Sequence, residues 1–74
     1  MVILVDRVTR TPINVGDTVR TFRGEVGVVR WMERPAHMGT TGRVGVALAG
    51  SARVYSWYPG VIGAVWVPFV AELP

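Results

Sequence analysis

The stretch Asn14–Trp31, NVGDTVRTFRGEVGVVRW, constrains the whole chain: its valine-rich runs are cut short by Gly16, Gly24 and Gly27. An amphipathic helix needs apolar residues at i, i+3, i+4 and i+7 over several turns, and no segment of the chain sustains that spacing. Gly16-Asp17 is turn chemistry, because aspartate hydrogen-bonds nearby backbone and glycine accepts a positive φ. Gly24 lets the chain double back in the corner Arg23-Gly24-Glu25. Gly27, inside a strand-like run, predicts a bulge or bend.

The same reading extends along the chain. Strands are predicted at Met1–Val5, Thr18–Arg23, Val26–Met32, Arg43–Ala49, Ala52–Tyr58 and Ala64–Val67. The connection TPINVGD carries the breakers Pro12 and Gly16, Glu33–Gly42 is a polar loop, and Gly50-Ser51 closes a hairpin. PGVIG turns the chain, and PFVAEL has the look of one short helical turn. In Arg43–Ala49, Val44, Val46 and Leu48 alternate with Arg43, Gly45 and Ala47, which places the two sets on opposite faces. The prediction is an all-β single domain over residues 1–74. It is a small closed barrel of five or six short antiparallel strands with one short 3-10 turn near the C-terminus. Closure removes the strand edges that so many valines would otherwise leave open.

Composition then narrows the function. A chain of 74 residues buries only about 60% of the surface its unfolded form exposes. Half of its residues are hydrophobic, more than so small a core hides, so a protein partner or a homo-oligomer is expected. Without cysteine there is neither a disulfide framework nor a thiolate metal site, and His37 is the one histidine. No lysine is present, which removes phosphate loops of the glycine-rich kind. Ser51 and Ser56 stand in no known nucleophile context. The carboxylates Asp6, Asp17, Glu25, Glu33 and Glu72 are scattered, and Pro35 breaks a helical pairing of Glu33 with His37. The chain is therefore expected not to be an enzyme and to use neither cofactor nor metal. No apolar run reaches the roughly 18 residues of a membrane span. MVILVDR lacks a basic segment before its apolar stretch, so cytoplasmic location without a membrane partner is the default expectation.

The net charge is +3, and all eight basic residues are arginine. A GC-rich coding sequence accounts for that excess. Arginine also suits phosphate and planar recognition through its fork of donors and its ability to stack, and the two origins are compatible.

Gly16-Asp17-Thr18-Val19 followed by Gly24-Glu25-Val26-Gly27-Val28-Val29 resembles the opening of an SH3-like barrel of the KOW kind, found in transcription elongation factors and ribosomal proteins. The closing VWVPFVAEL resembles the strand, proline and helical turn that finish many such barrels. The opening match covers about a quarter of the chain, and Glu25 stands where the family usually carries lysines. A weaker similarity links GDTVR and the closing strand to type II dihydrofolate reductases, barrels that work as tetramers around a shared pore. Their pore strand Val-Gln-Ile-Tyr-Pro is matched here by Val65-Trp66-Val67-Pro68, without the glutamine, the tyrosine or the supporting lysine, so that resemblance does not extend to the reaction.

The SH3-like resemblance implies a binding module, with nucleic acid or a nucleoprotein complex as partner. On Ala52–Tyr58, the residues Arg53, Tyr55 and Trp57 share one face, opposite Val54. If Val54 points inward like Val44 and Val46, that row points outward and offers stacking surface with a phosphate contact. Trp31 and Trp66 extend it, and Arg20, Arg23 and Arg30 add charge; the loop with Arg34, His37 and Met38 is a further contact candidate. In the competing arrangement the aromatics fill the core or an oligomer interface, where such residues are also enriched. That arrangement suits a self-assembling or adaptor protein of a virus or mobile element.

Overall fold

The structure, a computed structural model, describes residues 2–36 and 41–68. The chain is all-β, as the glycine punctuation predicts. Six strands run in the order β1 (Val2–Asp6), β2 (Thr18–Arg20), β3 (Val26–Glu33), β4 (Arg43–Leu48), β5 (Val54–Trp57) and β6 (Ala64–Pro68), with a 3-10 turn, Pro59–Ile62, before β6. They form two antiparallel sheets, β1-β6 and β2-β3-β4-β5. The 3-10 turn falls on the segment read as a plain turn. Pro59 starts it with a φ already suited to a helical turn, and Gly63 ends it at φ 66°. The helical turn expected at PFVAEL lies, beyond Pro68, outside the described residues.

The long connection after β1 joins the two sheets. Ile13 N–H donates to Leu4 O at 2.9 Å, while Gly16 N–H donates to Val29 O at 2.7 Å and Val29 N–H to Asp17 O at 3.0 Å. One segment thus hydrogen-bonds first to β1 and then to β3. The side chains that cannot pair with water close the space between the sheets: Leu4 and Ala64 from one, Val29, Val44 and Val46 from the other, with Ile13 and Ile62 from the connections. Val29, Val44 and Val46 are wholly inaccessible to solvent, each worth roughly 1.5–3 kcal/mol of apolar burial.

One local expectation changes. Gly27 is not a bulge but a regular strand residue opposite Val19 and Leu48. It is small because β4 passes close by: a Cβ there would stand 2.7 Å from both the Ala47 carbonyl oxygen and Val46 Cγ1. The register shift falls instead between Val29 and Trp31. Arg30 is the extra residue, so Val29 (opposite Val46) and Met32 (opposite Val44) both reach the core although they are three apart.

The corner after β2 is closed by backbone bonds, Thr21 N–H to Glu25 O at 2.8 Å and Gly24 N–H to Thr21 O at 2.9 Å, and braced by a hydroxyl. Thr21 is buried, and its Oγ1 accepts from Arg23 N–H at 3.3 Å and Glu25 N–H at 3.1 Å. Phe22 N–H donates to Val61 O at 3.0 Å, which fixes this corner to the 3-10 turn.

Candidate functional site

β5 is an edge strand, and its parity is the reverse of the one that would turn Tyr55 and Trp57 fully outward. Antiparallel residues directly opposite one another share a face. Tyr55 is opposite the buried Val46, and Trp57 is opposite the buried Val44. Val54 and Ser56 therefore lie on the outer face, and Val54 is 42% exposed rather than inward. Trp57 packs against the core. The physical reason is packing volume: a four-residue edge strand covers the open end of the core better with two aromatic rings than with a valine and a serine. Because the strand is at the edge, Tyr55 and Trp57 remain half-buried, stacked with ring centroids 5.4 Å apart, and Arg53 sits over Tyr55 at 5.9 Å. The row exists, but as the rim of the core.

The outer face of the four-stranded sheet is a different surface. Its centre is Gly45, opposite Trp31 on one side and Ser56 on the other. A Cβ on Gly45 would collide with Cε2 and Nε1 of Trp31, so the pyrrole half of the indole lies across the β4 backbone. The bulge at Arg30 makes this possible, since it turns Trp31 outward between two core residues. Trp31 is nonetheless 38% exposed, which leaves part of the ring to solvent. Val26, Val28, Ala47 and Val54 form the apolar half of this face, and Arg43, the Glu33 opposite it, and Tyr58 form its other end.

Arginine distribution follows the same geometry. Arg20, opposite Val26, lies at the β2 edge of the outer face, and Arg30 flanks Trp31 at the bulge. Both are exposed. The Arg43 guanidinium sits 4.6 Å from the Tyr58 ring centroid and donates to the Tyr58 hydroxyl at 3.4 Å. Such a pair holds the planar cation in place while keeping its other face available. Arg23 lies apart, over the exposed Phe22 ring at 5.6 Å on the Thr21–Glu25 corner. Beyond Arg43 and Tyr58 the surface falls into an open groove of about 980 Å³, with Arg7, Pro59, Val65 and Trp66 also lining it.

The predicted residues therefore divide. Trp31, with Arg30 beside it at the bulge, lies on the outer face five residues along β3 from the Val26 that faces Arg20; Arg53, Tyr55 and Trp57 stay together on the inner rim; Arg23 joins neither. Trp66 does not extend the Trp31 surface either. It packs on the core opposite Leu4 and donates from Nε1 to Thr41 O at 2.7 Å. His37 and Met38 lie outside the described residues. Arg43 and Tyr58 are additions. The alternation of Arg43, Gly45 and Ala47 against Val44, Val46 and Leu48 already marked Arg43 as outward, but nothing local marked Tyr58 as its partner fifteen residues away.

Titration adds little here. Asp6 is held below the ordinary aspartate value by the backbone N–H groups of Thr9 and Val8, which donate to its carboxylate. This braces the start of the long connection and is away from the outer face. Among the described residues no group of three or more His, Asp or Glu side chains is placed to hold a metal ion, and no helix is long and apolar enough to cross a membrane. No protein-family profile, curated protein sequence or solved structure matches this chain.

Proposed function

We propose that this chain is a non-catalytic, SH3-like binding module that engages nucleic acid, free or within a nucleoprotein complex, through the outer face of β2-β3-β4-β5. The observation that carries the reading is the combination of two outward aromatic rings, Trp31 and Tyr58, with Arg20, Arg30 and Arg43 along the same face. Arginine supplies phosphate contacts and aromatic rings supply stacking, the two elements sequence-tolerant nucleic-acid binders combine. Arg53 and Tyr55 on the neighbouring rim offer a second, smaller set of the same kind. The order of elements supports the SH3-like part: a long connection after the first strand, a three-stranded meander β3-β4-β5, and a 3-10 turn before the closing strand.

With a net charge of only +3, affinity is expected to be modest and strongly salt-dependent. Fluorescence anisotropy with short single-stranded and duplex oligonucleotides at low salt tests the proposal. Arg30→Gln and Arg43→Gln should each weaken binding and each lower the steepness of the salt dependence by about one. Absence of binding tighter than about 10⁻⁴ M, the weak end of nonspecific association, removes the proposal.

A second reading, self-association or docking of a protein partner, is favoured by the apolar half of the same face. Val26 is 38% and Val54 42% exposed, and Val28 and Ala47 lie on the same face in line with Val54 across β3-β4-β5. Sedimentation of the wild type against Val26→Ser/Val54→Ser tests it: a dimer that dissociates in the double variant supports this reading.

A further inference from the structure

We infer that the outer face selects unpaired strands over duplexes, by stacking a base on Trp31. This rests on the nucleic-acid reading above. Trp31 lies across Gly45, backed by the β4 backbone, and its exposed part faces away from the sheet. Next to it, Gly45 and Ser56 are opposite each other on adjacent strands, so the surface beyond the indole is low. Tyr58, with the Arg43 guanidinium against its ring, rises at the far side of that low strip. Trp31 on β3 and Tyr58 just past β5 are two strand spacings apart, about 10 Å. The indole fills the β4 part of this strip, and a flat base can stack on its exposed part, with the exposed Ser56 alongside and the exposed Arg30 and Arg43 nearby for phosphates.

A duplex cannot use this arrangement. Its bases are stacked on one another and present only their edges, which are read by helices or ribbons that enter a groove. The outer face is a sheet surface without a projecting element among the described residues. An unpaired base exposes its π face, which can stack on the exposed part of the indole.

The test compares a short oligothymidylate with a duplex of equal length at one low salt concentration, by anisotropy and by quenching of tryptophan emission. The wild type should bind the single strand about tenfold more tightly than the duplex, the scale of one stacked base. Trp31→Ala should abolish that preference, weakening single-strand binding about tenfold more than duplex binding. Gly45→Ala keeps the indole but displaces it from the backbone and should produce the same selective loss, so the outcome does not depend on a single variant. Equal binding of both forms, unchanged by either variant, overturns the inference but leaves the nucleic-acid reading standing. Binding of neither form overturns both, and a dimer whose interface buries Trp31 would then identify the occupant of this face as a second copy of the chain.

Discussion

Two glycines on adjacent strands offer a contrast that tests the packing directly. Neither Gly27 nor Gly45 has a positive φ, so alanine fits the backbone of each without conformational strain, and what differs is what the new methyl meets. At Gly27 it would press on the Ala47 carbonyl oxygen and on Val46 Cγ1, both at 2.7 Å, and Val46 is fully buried with nowhere to move. Overpacking of this kind costs about 1–3 kcal/mol, and a backbone contact places it toward the upper end. The stiffer unfolded chain returns roughly 0.4–1 kcal/mol, leaving a net loss of about 2 kcal/mol. For a chain of 74 residues total stability is about 4–11 kcal/mol, and the loss corresponds to a fall in Tm of about 8–16 °C. At Gly45 the nearest atoms the methyl meets belong to the Trp31 ring, a partly exposed side chain that can swing aside, so the cost should stay near 1 kcal/mol or below. Thermal and urea denaturation followed by far-UV circular dichroism measure both variants. A Gly27→Ala protein within about 2 °C of the wild type, or a Gly45→Ala protein less stable than Gly27→Ala, would refute this account of how β3 and β4 pack.

Further outcomes follow from the connections. Thr21→Val keeps the shape but removes the acceptor for Arg23 and Glu25 N–H, and should cost about 1–2 kcal/mol in urea denaturation. Trp66→Phe removes the 2.7 Å bond from Nε1 to Thr41 O; about 1 kcal/mol should be lost, with faster amide hydrogen exchange at Gly42 and Arg43. Asp6 has a folded pKa below its ordinary value of 3.8. Its contribution to stability is therefore complete well above that value and is lost as pH falls past it toward the folded pKa. Asp6→Asn should flatten the acid limb of the stability-against-pH curve while leaving its neutral region parallel to that of the wild type.

Local chemistry determined much of the fold by itself. Breakers at Gly16-Asp17, Gly24 and Gly50 located the turns, and strict alternation in Arg43–Ala49 identified Val44, Val46 and Leu48 as inward. Both readings work because turn residues and strand parity act over a few bonds and need no distant partner. Parity within β5 was equally legible, since Arg53, Tyr55 and Trp57 do share a face. Which face that is depends on pairing with β4, and only tertiary structure decided it: the register sets Tyr55 against Val46 and Trp57 against Val44, where ring volume closes the core. The bulge at Arg30, the seating of Trp31 on Gly45 and the Arg43–Tyr58 pair were likewise decided at long range. Each joins residues from different strands or their flanks, and no periodicity within one segment encodes how two segments will align.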